Sequence, residues 1–256
     1  MIPASHEYPL DAIQAYFTNE TEQWWVKKPA SAVATPERWD LLVSLVPHLG
    51  DVPHRAHLTR IEPENHVDLH AEVTAFHIDR HKPAPETDLP AAAFPDGAFI
   101  YGGKVRPVLV VSHVHPSPSR AIRGSARTVT KPSFLVAPYY GAEPDGTRAG
   151  FPHEFVARIR QAQYSQFFWD HLPTGLPHMK RTDCSSILRL DQVFPIYRKR
   201  EDDVAAWATT GWTMAPKARK VLEEWIRWGF QGGVKAGGAI DTFRTILREV
   251  EGEQPA

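Results

Sequence analysis

Apolar and polar residues alternate through the middle of the chain. Val67, Leu69, Ala71, Val73 and Ala75 recur two apart, the period of a strand with one buried face. RAHLTRI (55–61) shares that alternation, and EPEN between the two supplies a turn. Farther on, Arg106-Pro107 leads into the apolar run Val108-Leu109-Val110-Val111. This predicts a buried strand over 105–112. SFLVAPYYG (133–141) predicts another strand and FPHEFVARIRQ (151–161) a further one. SSILRLDQVFPI (185–196) predicts a strand that turns at Asp191-Gln192. The intervening stretches read as loops: Pro-rich from 83 to 103, polar and basic from 116 to 132, and irregular over QFFWDHLPTGLPHMKR.

The ends of the chain read differently. Ile13, Tyr16, Phe17 and Trp24 stand at near-helical spacing, predicting a short helix that starts around 9–11, then a turn or second helix. PERWDLLVSLV (36–46) predicts a helix with Thr35 as N-cap and Pro36 at its first position, ended by Pro47 and Gly50. Two more helices are predicted over 216–230 and 239–250. The first carries Val221, Leu222, Trp225, Ile226 and Trp228 as a wide apolar face. That face packs onto the strands or receives a partner. The expected fold class is mainly β with α additions (α+β), a small antiparallel barrel of short strands flanked by helices. The expected division is a helical N-terminal extension over 1–60, then the barrel with C-terminal helices over 61–256.

Composition changes this picture little. A chain of 256 residues with 42% hydrophobic and 23% charged residues has an ordinary globular balance. With a formal net charge of -1, any nucleic-acid site must be a local patch. No apolar run approaches the roughly 20 residues of a membrane span. MIPASHEYPL has neither the basic nor the apolar region of an export signal. The lone Cys184 allows no internal disulfide and suits a reducing compartment, where a small buried thiol is the ordinary reading. A cytoplasmic location is expected. The 23 prolines predict many loops.

The 13 histidines have to be weighed as metal ligands. On a helix His66, His70, His77 and His81 would share one face with Glu62, as in a metal-binding helix. On a strand the first two point away from the last two and no site forms. The alternation over 67–75 favours the strand, so no metal is expected.

Candidate chemistry gathers elsewhere. Arg106 is a permanently charged fork that matches two phosphate oxygens, and Pro107 fixes the backbone after it. It holds a phosphate or pairs a surface carboxylate. Arg120, Arg123, Arg127 and Lys131 stand in a stretch without any acidic residue from 112 to 142. Such a run tracks a phosphate backbone or is merely solvated. Tyr139 and Tyr140 alternate, so one belongs to the core and the other is exposed, where it can stack a base. His113, His115 and His153 are other proton donors or ordinary surface residues. Asp191-Gln192 shapes an Asx-type turn or touches substrate.

The order of VRPVLVVS, FLVAPYYG and SSILRLDQVFPI, followed by a helix, resembles the MazF/PemK family of toxin-like proteins. The likeness covers roughly residues 66–230 and rests most on Arg106-Pro107 and on Asp191-Gln192-Val193. It implies an SH3-like barrel acting as a metal-independent endoribonuclease on single-stranded RNA, with no cofactor. The partners implied are an antitoxin protein and a second copy of the chain. The family's catalytic arginine maps onto Arg106, and its usual Thr or Ser maps near Tyr139-Tyr140, making Tyr140 the second catalytic candidate. Tyr139, Ser112, Arg120, Arg123, Arg127 and Gln192 are the candidate substrate contacts. The alternative is a barrel of the same kind that binds nucleic acid or a protein without cutting.

Overall fold

The computed structural model describes residues 8–18, 23–33, 36–48, 54–60, 69–75, 98–112, 133–144, 150–177, 185–197 and 207–252. They form an α+β fold of mostly antiparallel sheet with four helices. The residues divide into two compact units, Met1–Ser44 with Val105–Ala256, and Leu45–Lys104.

Eight strands of the larger sheet are β1 (Trp25–Lys27), β2 (Asp40–Pro47), β6 (Gly103–Val110), β7 (Ser133–Gly141), β8 (Phe167–His171), β9 (Ser185–Arg189), β10 (Phe194–Tyr197) and β11 (Trp207–Met214). Their order is β1-β11-β2-β6-β7-β9-β8, with β10 also on β7. The smaller unit holds β3 (His54–Arg60), β4 (Leu69–Ala75) and β5 (Ala98–Ile100), antiparallel with β3 in the middle. The helices are α1 (Ile13–Phe17), α2 (His153–Arg160), α3 (Pro216–Gln231) and α4 (Ala239–Gly252).

β7 organises the larger sheet. One edge pairs with β6, Val108 facing Pro138 and Val110 facing Val136. The other edge pairs first with β10, Phe194 facing Val136, and then with β9, Leu188 facing Tyr139. β9 and β10 are thus one bent run along β7, interrupted by a 3-10 turn at Leu190–Gln192. The interruption falls opposite Ala137-Pro138, and a proline has no N–H for a ladder bond.

Side chains on the two faces of these strands enter different clusters. Tyr139, Leu188 and Phe168 join Trp24, Trp225, Val221, Leu222 and Phe243 in the main core, under α3 and α4. Ile187 and Trp169 join Val156 and Ile159 of α2 on the opposite face. α3 is set by Pro216 at its first turn and buries Ala218, Val221, Leu222 and Trp225, three and four apart. Glu224 of α3 accepts hydrogen bonds from Ala239 N (2.9 Å) and Ile240 N (3.2 Å), capping α4.

Several expectations need correction. Residues 36–46 are not a helix: Asp40–Pro47 is β2, lying between β11 and β6. Its first five residues are all buried, as in a strand covered on both faces. The described residues among 1–60 therefore do not form a helical extension. β1 and β2 both pair with β11, and α1 supplies the only α-helix among the described residues before β2. Residues 151–161 are not a strand but contain α2. Pro152 precedes it, Glu154 is in its first turn, Arg158 and Arg160 are in its last, and Val156 and Ile159 face inward. The segment read as irregular holds β8. β11 went unforeseen. Its register shifts between Thr209 and Trp212, where Gly211 takes a φ of 75°, a left-handed bulge conformation that glycine accepts.

No described helix is long and apolar enough to cross a membrane. Residues 69–75 are a strand, so the helical arrangement of the histidines does not arise there. Glu62, His66, His77 and His81 lie outside the described residues, as does Cys184. Among the described residues, no group of three or more His, Cys, Asp or Glu is placed to hold a metal ion.

Candidate functional site

β6 emerges from the core at Arg106. Residues 103–105 are exposed, Arg106 is half-buried, and Pro107 to Val110 are buried. Extending the β6–β7 register by two residues sets Arg106 across from Tyr140. Directly opposed side chains on one face lie within contact distance. The guanidinium rests over the Tyr140 ring, 4.0 Å from its centroid.

Tyr140 is half-buried, and its hydroxyl donates to Gln192 Oε1 at 2.6 Å. Gln192 reaches it because the 3-10 turn closes over this part of β7. On the far side β9 places Ile187 opposite Tyr140, which makes Arg189 its diagonal neighbour. The Arg189 guanidinium lies 5.5 Å from the Tyr140 centroid and 5.0 Å from that of Phe167, its direct partner on β8. Asp191 grips Arg189 from two sides, at 2.7 Å to Nε and 2.5 Å to one terminal nitrogen. That ion pair fixes Arg189 and largely offsets its charge.

Arg106, Tyr140 and Gln192, three positions taken from separate motifs, thus meet in one half-exposed cluster. Arg189 and Phe167 belong to it and were missed. The clue to Arg189 was its place two residues before Asp191, at the end of a strand. Asp191 itself pairs with Arg189, a use not anticipated for it.

The other expected contacts stand elsewhere. Tyr139 is 1% exposed on the opposite face, and its hydroxyl donates to Asp170 Oδ2 at 2.9 Å. That position puts it out of reach of any ligand on the Tyr140 side. Ser112 lies past the end of β6, whose last residue is already about 13 Å along the strand from Arg106. The Ser112 Oγ accepts from Leu135 N at 2.7 Å, which ties it to β7. His153 is exposed at the start of α2. His113, His115, Arg120, Arg123, Arg127 and Lys131 fall outside the described residues.

The buried group behind Tyr139 is the electrostatic counterpart of the site. Asp170 is fully buried. Besides Tyr139 it accepts from His171 N at 2.8 Å and from Trp25 Nε1 at 3.4 Å. Burial outweighs these donors and pushes its carboxyl up to about 7. Burial, and then the nearby Asp170 carboxylate, raise the Tyr139 and Tyr8 hydroxyls as well.

No known protein family matches the chain, and neither a curated protein nor a solved structure matches it.

Proposed function

We propose that the chain is an endoribonuclease of the MazF/PemK kind, cutting single-stranded RNA without a metal, on an SH3-like barrel built around β7. The observation that carries this reading is the meeting of Arg106, Tyr140 and Gln192 in one half-exposed cluster. Nothing in their sequence positions required it.

In this reading the Arg106 fork holds two oxygens of the scissile phosphate and stabilises the charge that grows on them. The RNA's own 2′-oxygen bonds to phosphorus and releases its proton to water. The bond from phosphorus to the 5′-oxygen breaks, and that oxygen takes the Tyr140 proton. The products are a 2′,3′-cyclic phosphate and a 5′-hydroxyl, and Tyr140 recovers its proton from solvent. Gln192 holds the Tyr140 hydroxyl in place beforehand. The family likeness further carries a homodimer and capture by an antitoxin protein.

One observation favours a second reading. The Tyr140 proton is already given to Gln192, so the same cluster serves a barrel that binds a phosphate and leaves it intact.

The test is cleavage of a mixed-sequence single-stranded RNA in EDTA. The wild-type chain is expected to make discrete cuts. Arg106→Ala should lose about 10²–10³-fold in rate and Tyr140→Phe about 10²–10⁴-fold. No cutting at high enzyme excess, with binding that still depends on Arg106, would replace the nuclease by the binder.

A further inference from the structure

Arg106 and Tyr140 begin a longer row. From Tyr140 it passes to Arg189 and Phe167, and there it meets three aromatic residues carried by α2 and its flanks. Phe155 lies 5.5 Å from Phe167, 5.3 Å from Tyr164 and 5.9 Å from Phe151, between ring centroids. Tyr164 lies 6.0 Å from Phe167. All four rings are half-buried. They pack against the cluster of Val156, Ile159, Trp169 and Ile187 and are not enclosed by it. Their interplanar angles are 41°, 51°, 69° and 74°. No pair is stacked face to face. Two ion pairs border the rings: Arg189, held by Asp191, lies over Phe167, and Arg158, held by Glu154, hydrogen-bonds Tyr164.

We propose that this row is a stacking platform for the unpaired bases next to the phosphate held at Arg106, so that α2 and β8 grip the substrate beside the scission point. The proposal rests on the nucleic-acid reading of the Arg106 cluster and extends it to residues that the sequence motifs did not touch. The occupant is a single strand rather than a peptide or an apolar partner. The row of half-open rings begins at the guanidinium that holds the phosphate, and such rings accept any base. Arg189 and Arg158 are held by Asp191 and Glu154, so Arg106 supplies the charge and the rings supply the stacking. The row is also continuous, since its direct and diagonal neighbours on β7, β9 and β8 lead from Tyr140 to Phe167 without a gap.

The experiment measures affinity for two 2′-O-methyl oligonucleotides, which cannot be cut. One carries all its bases. The other carries the same phosphates with abasic sugars on both sides of the central linkage. The chains compared are wild type, Phe155→Leu, Tyr164→Leu and Arg106→Ala. Leucine keeps apolar bulk and removes the aromatic face, and circular dichroism checks that each variant is folded. The wild type should prefer the base-bearing strand roughly tenfold or more. In the two leucine variants that preference should shrink towards none, while their affinity for the abasic strand stays put. Arg106→Ala should weaken both strands alike and keep the preference. A folded leucine variant with the full preference overturns the platform and leaves the Arg106 site standing. An Arg106→Ala variant that binds both strands as tightly as wild type removes the phosphate site and leaves the platform. A wild-type chain that binds neither strand overturns both.

Discussion

Tyr139 and Tyr140 are consecutive residues of one strand, and they live in different chemistries. Tyr139 points into the main core, where its hydroxyl meets a fully buried carboxyl group. Tyr140 points to the other face, lies half open under Arg106, and gives its hydroxyl to an amide on a turn. The strand period alone separates them. A buried polar pair of the first kind is a structural commitment, because losing either partner strands the other in a low dielectric. A half-exposed pair of the second kind can exchange its partner for a ligand at little cost. A ligand therefore reaches Tyr140 more readily than Tyr139.

Truncation separates the two most strongly. Tyr139→Ala removes a ring packed among Leu188, Phe168 and Trp225 and also takes a donor from Asp170. It should cost about 3–5 kcal/mol in urea unfolding. Tyr140→Ala should cost about 1 kcal/mol or less. Equal losses would erase the distinction.

Acidity probes the buried side alone. The Asp170 carboxyl titrates near 7 in the fold and near 3.9 in an unfolded chain. Below pH ~4 it is protonated in both states and imposes no penalty. As pH rises towards about 7 the unfolded chain ionises first, so this group lowers stability across that window, and the loss is constant above it. The loss is on the order of 4 kcal/mol. Asp170→Asn keeps the shape and removes the charge. The difference in unfolding free energy between variant and wild type should grow from pH 4 to pH 7 in the variant's favour. A difference that is flat with pH would mean that the buried carboxyl is not held protonated.

The two sides were unequally legible in the sequence. β7 and the bent run through Asp191-Gln192 were readable because their alternation and turn residues agree. Arg106 was readable because a fixed charge before a buried run is conspicuous. β2 was not, because Trp39, Leu42, Val43 and Val46 fit a helical period while a strand covered on both faces shows no alternation. In α2, Phe155, Ala157 and Ile159 imitate a strand, and the better signals were Pro152, Glu154 and the basic residues of the last turn. Misreading α2 also hid its aromatic row. Phe155 and Tyr164 come together with Phe167 only once 153–160 is wound into a helix against β8.

The smallest expected effect is the most direct test of what the weakly held tyrosine does. Gln192→Leu removes the acceptor of the Tyr140 hydroxyl and little else, since Gln192 sits on a turn and is only half-buried. Water can replace the lost acceptor, so thermal unfolding should reveal a cost of about 0.5–1 kcal/mol. Activity divides the two readings of the site. In a nuclease, Gln192 holds the proton donor in line, so the variant should lose rate at saturating RNA more than it loses affinity. In a binder, affinity should change slightly and no rate exists to lose. A Gln192→Leu chain that cuts RNA at the wild-type rate would show that Tyr140 needs no holding, and would move the proton donor away from β7.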